Sequence, residues 1–197
     1  DDNPMRSERS YALADVLRSV LPLAPDWRVL DYGCGTGLLT LLLAAEVKHV
    51  LAADSSAGML EVLAEKLQAA GVDNVTSRRL DLTAETDLHE RFDLICSNMT
   101  LHHIPDPAAL VVRFAALLEP GGWLALADLD AEDGSFHSDP TGIFHHGFSA
   151  EQMQGFFAAA GLGGVRTVPV YTVSRPTAAG EVRQYPVLLT VGEKVQN

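Results

Sequence analysis

The sequence has few of the features that mark secreted, membrane or zinc-binding proteins. Its 197 residues include only two cysteines, Cys34 and Cys96, whose spacing fits neither a CxxC pair nor a zinc site. No apolar run reaches the roughly 18 residues that a membrane span needs, and the N-terminal DDNPMRSERS has no signal-peptide pattern. These absences lead us to expect a cytoplasmic protein with reduced thiols and no membrane partner.

Basic residues are scarce as well. Lys and Arg number 14 against 26 Asp and Glu, which gives a net charge of −12, and the longest basic cluster is Arg78-Arg79. Proteins that bind nucleic acid normally present a basic face to the phosphates. The acidic balance therefore argues against a nucleic-acid partner and against binding to an anionic membrane.

What the chain does contain is a regular alternation of apolar strand-like runs and amphipathic helical patterns. Its length and its content of 47% apolar and 20% charged residues are typical of one globular domain, which we expect to span residues 1–197. The strand-like runs are residues 28–31, 49–54, 75–80, 92–98 and 123–128. The helical patterns are residues 7–21, 38–47 and 56–70, a helix from 106 that EPGG (119–122) ends, and a helix from 149.

The end of the chain has a different pattern. Residues 165–173 and 185–191 are rich in β-formers with no helix between them, which predicts an antiparallel pair, and Pro169 suits an edge strand. The whole pattern predicts an α/β fold: a single doubly wound, Rossmann-like domain. Its seven-stranded sheet should be mostly parallel, with the antiparallel β-pair at the end and helices on both faces.

A glycine-rich loop follows the first predicted strand. In DYGCGTG (31–37), Gly33, Gly35 and Gly37 open a helix, so we expect backbone N–H groups to point at a bound ligand. The dinucleotide fingerprint would need a small residue where this chain has Leu38. The loop therefore favours a ligand other than NAD.

Polar residues end each of the next four strands. These are Asp54, Asp81, Asn98 and Asp128, and the carboxyl ends of parallel strands meet at one edge of the sheet. Asp54 lies about 20 residues after the loop, where a carboxylate can accept from both hydroxyls of a ribose. The structural alternatives are a helix N-cap for Asp54 and a solvated loop carboxylate for Asp81.

Five segments in this order and spacing resemble the motifs of class I S-adenosylmethionine-dependent methyltransferases: VLDYGCGTG, AADSS, RLDLT, FDLICSNMTLHHIPD and LEPGGWLALAD. The nearest similarity is to the small-molecule enzymes of the ubiquinone- and menaquinone-biosynthesis type, and it covers roughly residues 9–191. The resemblance implies S-adenosylmethionine as cofactor and S-adenosylhomocysteine as product. It also implies methyl transfer by in-line displacement, with catalysis mainly by positioning.

The resemblance assigns cofactor contacts by position. The Gly33–Gly37 backbone would face the methionine part, Asp31 would help to bind its ammonium and Asp54 would hold the ribose diol. Met59, which is otherwise a core residue, would lie near the adenine, and Asp81 would accept from the adenine amino group. The implied cofactor-binding residues are Asp31, Gly33, Cys34, Gly35, Gly37, Asp54, Ser55, Met59, Asp81, Leu82, Asn98 and Met99.

Histidines near these motifs are candidates for a general base. His102 and His103 follow the fourth strand, whereas His145 and His146 fall in a long loop, residues 129–148, that we expect to cover the active site. The alternative for His102 and His103 is packing on the following helix. The loop also holds His137 and several acidic residues, but their spacing matches no zinc pattern, so we predict no metal.

The remaining expectations concern the acceptor and the competing functions. NMTLHH lacks the Asn/Asp-Pro-Pro-aromatic motif of enzymes that methylate planar amino groups, and the glutamate pair of protein arginine methyltransferases is absent too. A small-molecule acceptor and a monomer or homodimer are therefore expected, with residues 1–24 as an N-terminal helical cap region. The alternatives are a non-catalytic, cofactor-binding regulatory protein and a nucleotide-dependent oxidoreductase.

Overall fold

A computed structural model describes residues 4–84, 88–176 and 181–195. The strands are β1 (Arg28–Tyr32), β2 (His49–Asp54), β3 (Val75–Arg79), β4 (Phe92–Asn98), β5 (Leu118–Leu129), β6 (Leu162–Pro176) and β7 (Val182–Lys194). The helices are α1 (Pro4–Val20), α2 (Leu38–Ala44), α3 (Ala57–Ala70), α4 (Pro107–Leu117) and α5 (Ala150–Ala159), with a 3-10 turn at Leu101–His103.

The strands form one seven-stranded sheet in the order β3-β2-β1-β4-β5-β7-β6. The pairs among β1 to β5 are parallel, whereas β7 runs antiparallel to both β5 and β6. The predicted α/β fold class is therefore confirmed, including the terminal antiparallel pair. Pro169 lies on β6, the outermost strand at that edge, as expected for a residue that cannot donate a ladder hydrogen bond.

Helices cover both faces of the sheet because successive strand residues point to opposite sides. On β1, Leu30 packs into the cluster that contains α4 and α5, whereas its neighbour Val29 packs against α1 and α2. Phe114 of α4 and Leu17 of α1 are fully buried on these two faces. Burying an apolar side chain of this size is worth roughly 1.5–3 kcal/mol.

Polar caps set where the helices begin. Ser56 accepts a hydrogen bond from Met59 N before α3, and Asp106 accepts from Ala109 N before α4. Ser149 and Gln152 form the capping box that the sequence predicts for α5. Within the described residues, no helix has the length and hydrophobicity to cross a membrane.

Some predicted boundaries were wrong. The second helix ends at Ala44 rather than near residue 47. Strand β5 begins at Leu118, so EPGG lies inside the strand rather than between helix and strand. Leu118 already has extended dihedrals and pairs with Phe92, and the positive φ of Gly121 (81°) lets the chain bend through the irregular register that follows.

A buried carboxylate lies near the end of β1. Asp31 is 2% exposed, its Oδ2 accepts a hydrogen bond from Thr40 Oγ1 at 2.6 Å, and Cys96 Sγ lies 3.9 Å from its Oδ1. Burial raises the pKa of Asp31 from 3.8 to about 6, with a smaller contribution from the nearby Asp54. The Thr40 hydrogen bond acts in the opposite direction. The folded chain therefore holds this proton more tightly than the unfolded chain does.

This pKa difference predicts a pH-dependent stability. Because the folded pKa of Asp31 exceeds the unfolded one, its contribution to stability is present at low pH and is lost as pH rises through about 6. Between pH 5 and 7.5 the free energy of unfolding of the unmodified protein should fall by about 1 kcal/mol relative to that of Asp31→Asn, which has no titrating group at position 31. Urea unfolding at a series of pH values measures this difference, and parallel curves for the two proteins would contradict it.

Candidate functional site

A cleft of about 670 Å³ opens at the carboxyl ends of β1, β2 and β4. We call it the main cleft. It lies where the chain order reverses, because β1 has β2 on one side and β4 on the other, and ligands of doubly wound sheets bind at this point. The predicted cofactor-binding residues that line it are Gly33, Gly35, Asp54, Ser55, Met59, Asp81, Asn98 and Met99.

The Asp54 carboxylate joins the loop to the helix on either side of the cleft. Its Oδ2 accepts from Gly35 N and its Oδ1 from Ser56 N, both at 2.8 Å. Ser56 itself caps α3, so the alternative role of Asp54 as the N-cap is taken by another residue. A carboxylate has about four acceptor positions, which leaves Asp54 able to accept further hydrogen bonds in the cleft.

The N–H groups of the glycine loop do not serve the predicted role. Gly33 N and Cys34 N donate to Ala53 O at 2.7 and 3.1 Å, Gly35 N donates to Asp54, and Gly37 N donates to Cys34 O. These donors therefore tie the loop to β2 and to itself, and the expectation that they point at the ligand was wrong. The loop instead offers close approach to a backbone without side chains.

The glycines of the loop are required for different reasons. A Cβ at Gly33 would lie 2.2 Å from Thr100 Oγ1, and one at Gly37 would lie 2.2 Å from Leu63 Cδ1. Gly35 has a φ of +54°, but a Cβ there would meet nothing within 4 Å. All three glycines have a positive φ; Gly33 and Gly37 also leave no room for a Cβ, whereas Gly35 borders open space at the cleft.

Asp81 lies at the far end of the main cleft. Its Oδ1 accepts from Thr83 N at 2.8 Å and from Thr83 Oγ1 at 2.6 Å, which fixes the carboxylate. Leu82 is buried, is absent from the cleft lining and donates its N–H to Tyr32 Oη at 3.2 Å. Tyr32, which the sequence reasoning missed, therefore lines the cleft and anchors the segment that carries Asp81.

A second cavity of about 350 Å³ adjoins the first, and we call it the side pocket. The two share Gly33, Gly35, Met59, Asn98, Met99 and His103. Met99 has a φ of 56°, a left-handed conformation that is costly for a residue with a side chain and that occurs often at functional sites. Cys34, predicted to contact the cofactor, lines the side pocket rather than the main cleft.

His102 lies at the back of the side pocket with its ring oriented by a carboxylate. It is 2% exposed, and its Nδ1 lies 2.7 Å from Asp128 Oδ1. Asp128 is itself fixed by the N–H groups of His102 and Leu129. Because a carboxylate only accepts, Nδ1 donates to Asp128, and in the neutral imidazole Nε2 then carries the lone pair.

Of the other three histidines predicted as a general base, His103 lines the cavities and His145 and His146 do not. His103 lines both cavities, and its ring lies 4.2 Å from that of His102. His145 and His146 line neither, since His145 Nε2 lies 3.0 Å from Ile104 O and His146 Nδ1 lies 3.7 Å from Glu132 Oε1. His137 lines the side pocket with its ring 4.9 Å from that of His102.

Some side-pocket residues come from parts of the chain without a recognisable motif. Phe136 lies between β5 and α5, and Tyr171 and Arg175 lie on β6. Tyr171 Oη donates to Asn98 Oδ1 at 3.5 Å, and burial raises the pKa of Tyr171 to about 12. Only the aromatic and basic residues within the β-rich tail could have suggested Tyr171 and Arg175 as pocket residues.

The side chains of the main cleft fit a positively charged nucleoside better than a nucleotide with a pyrophosphate. No Lys or Arg lines it, and four loop N–H groups (Gly33, Cys34, Gly35 and Gly37) are occupied, so little is available to bind a pyrophosphate. Two carboxylates, Asp54 and Asp81, instead offer acceptors for hydroxyl and amino groups and attract cations. This set of acceptors fits S-adenosylmethionine, which carries a sulfonium and an ammonium. Across residues 4–84, 88–176 and 181–195, no group of three His, Cys, Asp or Glu is arranged to hold a metal.

Comparison with known proteins gives a consistent result. The family described as "Methyltransferase domain" matches residues 5–166. An uncharacterised methyltransferase of Schizosaccharomyces pombe is 28% identical over 155 residues, which are 71% of this chain and 55% of that protein. A ubiquinone biosynthesis O-methyltransferase of Xylella fastidiosa is 39% identical over 111 residues, 55% of this chain and 44% of that protein. The chain thus spans about half the length of the curated relatives that it matches.

The fold comparison agrees. The crystal structure of an S-adenosylmethionine-dependent methyltransferase from Aquifex aeolicus superposes with a TM-score of 0.70 at 20% identity, covering 98% of this chain and 95% of that one. The superposition covers nearly the whole chain, whereas the family match, residues 5–166, contains the motifs that form the main cleft. The resemblance seen in the sequence is confirmed: the chain belongs to the methyltransferase domain family, with the class I S-adenosylmethionine-dependent fold.

Proposed function

We propose that this chain is an S-adenosylmethionine-dependent methyltransferase that acts on a small-molecule acceptor in the side pocket. The observation that carries the proposal is the junction of the two cavities at Asn98 and Met99. When bound, S-adenosylmethionine supplies a methyl group whose bond to sulfur breaks, leaving its electron pair on sulfur, as a lone pair of the acceptor forms the new bond.

The residues of the main cleft hold the cofactor in this proposal. Asp54 accepts from the ribose hydroxyls and Asp81 from the adenine amino group. Gly35 allows close approach. Asp31 is buried and lines neither cavity, so it acts on the ammonium through its charge rather than by direct contact. Most of the catalytic effect then comes from aligning donor and acceptor in a confined pocket.

His102 is the general base in the proposal, with Asp128 as its positioning residue. The Asp128 carboxylate holds the proton on Nδ1, so that Nε2 accepts the proton that the acceptor loses. His103, at the boundary between the cavities, is close enough to contact either ligand. His145 and His146 have no place in this scheme because they line neither cavity.

A small acceptor is supported by the pocket's size and by the chain's charge. The side pocket measures about 350 Å³, and the net charge of −12 disfavours nucleic acid. The residues that line the side pocket also support the predicted roles of the cap region (1–24) and the covering loop (129–148). Arg9 and Ser10 of α1 come from the proposed cap region, and Phe136 and His137 come from the proposed covering loop.

Incubation with methyl-labelled S-adenosylmethionine and a panel of hydroxylated small molecules tests the activity. Label transfer to an acceptor together with formation of S-adenosylhomocysteine is the expected outcome. Cofactor binding without turnover across a broad panel would instead favour a regulatory, non-catalytic protein. Binding of a nicotinamide nucleotide in place of S-adenosylmethionine would favour an oxidoreductase.

Gly35→Ala should weaken cofactor binding through the volume of one methyl group. The variant should bind S-adenosylhomocysteine about tenfold or more weakly, because a methyl group enters the space beside the ligand. Gly71→Ala is a matched control: its φ is +65°, a Cβ there also meets nothing within 4 Å, and it caps α3 away from both cavities. Calorimetry should show a loss only in the first variant, and equal affinities would contradict the assignment.

His102→Gln should lower turnover without weakening cofactor binding. We expect kcat to fall about 100-fold or more, because a general base is removed, and the affinity for S-adenosylhomocysteine to stay unchanged. Asp128→Asn should also lower kcat, because an amide does not hold the imidazole in the same tautomer. His89→Gln, at an exposed site, is the control. A comparable loss of kcat in His145→Gln would contradict the choice of His102.

A further inference from the structure

The side pocket has a charge pattern opposite to that of the chain. Two arginines, Arg9 and Arg175, are among its lining residues, and no Asp or Glu is. The whole chain carries 26 Asp and Glu against 14 Lys and Arg. A cavity lined by one sign of charge attracts ligands of the other sign.

Arg175 differs from the arginine at the paired position on the next strand. Arg175 of β6 is in register with Arg183 of β7. Arg183 Nη1 lies 2.8 and 2.7 Å from the two carboxylate oxygens of Asp133, so its charge is balanced. Arg175 donates from Nη1 to Phe136 O at 2.6 Å and has no carboxylate partner among the described residues. Of the two, only Arg175 lines the side pocket.

The Arg175 guanidinium is held in place by an aromatic ring. It lies over the Phe136 ring at 4.0 Å from the centroid, and the hydrogen bond to Phe136 O fixes it from the same residue. A guanidinium has five N–H groups in a planar fork. The fork therefore keeps donors for a bidentate partner, and its side chain is already ordered.

Two carboxylates beside the side pocket have partners of their own, although Glu132 Oε1 accepts no hydrogen bond within the described residues. Asp128 binds His102 and two backbone N–H groups, and Glu132 Oε2 accepts from Phe136 N. The Arg175 charge also acts on the neighbouring His137. The pKa of His137 is lowered mainly by burial, then by His102, His103 and Arg175, with only Glu132 opposing.

The rest of the pocket restricts the shape of its ligand. Tyr171 provides a partly exposed aromatic wall, whereas the Phe136 ring is buried under Arg175. The volume of about 350 Å³ suits a single ring. His102, as a general base, requires a nucleophile that carries a proton, such as a hydroxyl group.

Resting on the function proposed above, we propose that the acceptor is a small aromatic hydroxy acid whose carboxylate is bound by Arg175. A carboxylate is favoured over a phosphate because the pocket offers one uncommitted guanidinium fork rather than a cluster of donors. The ring lies against Tyr171, with a hydroxyl near His102.

A matched set of ligands tests this assignment. The probes are 3,4-dihydroxybenzoate, 3,4-dihydroxybenzyl alcohol and 3,4-dihydroxybenzylamine, which differ mainly in charge, together with phenyl phosphate. Each is titrated by calorimetry into the protein with and without S-adenosylhomocysteine. We expect the benzoate to bind about tenfold or more tightly than the alcohol, and the amine and the phosphate to bind more weakly than the benzoate.

The variants are Arg175→Gln and, as control, Arg183→Gln. Arg175→Gln should remove the preference for the benzoate while leaving the affinities for the alcohol and for S-adenosylhomocysteine unchanged. Arg183→Gln should keep the preference. Equal binding of benzoate and alcohol by the unmodified protein would overturn the proposal, and so would tighter binding of phenyl phosphate.

Two further outcomes distinguish a failure of this inference from a failure of the proposed function. Loss of S-adenosylhomocysteine binding in Arg175→Gln would assign the guanidinium to the cofactor and overturn the inference while sparing the methyltransferase function. Failure of the unmodified protein to bind S-adenosylhomocysteine would overturn the proposed function. The probe titrations without cofactor would then still decide whether Arg175 selects a carboxylate.

Discussion

The main cleft depends on one carboxylate at the end of β2. Asp54 accepts hydrogen bonds from Gly35 N in the glycine loop and from Ser56 N at the start of α3, both at 2.8 Å. Charge-assisted hydrogen bonds of this kind are worth roughly 1.5–3 kcal/mol each. They fix the loop and the helix relative to each other, and the same carboxylate faces the cleft. Structure and ligand binding are therefore coupled at a single side chain.

The fold brings distant parts of the chain to this point in two different ways. The main cleft is built from strand ends, so residues that directly follow β2 and β4 line it by topology alone. The side pocket is assembled from α1, the segment between β5 and α5, and the edge strand β6. These elements contribute no strand end to the main cleft, although α1 also packs Leu17 against the parallel strands.

This difference explains what could be predicted from the sequence. Asp54 and Asp81 were predicted as cleft residues because each ends a strand within a recognisable motif. Tyr171 and Arg175 were not, since their placement depends on the pairing of β6 with β7, whose register shifts between Pro169 and Tyr171. The sequence also gives no reason to prefer His102 over His145 as the base. The structure distinguishes them, because only His102 is buried beside Asp128. The bonding of the loop N–H groups to Ala53 required coordinates too, because it depends on where β2 ends in space.

The central claim is that this cleft binds S-adenosylmethionine through Asp54. Calorimetric titration of S-adenosylhomocysteine into the unmodified protein and into Asp54→Ala, with circular dichroism to verify folding, tests it most directly. The account predicts micromolar binding that weakens by about 100-fold in the variant, because two charge-assisted hydrogen bonds to the ribose are lost. Absence of binding by the folded, unmodified protein, or equal affinity in the two proteins, would contradict it.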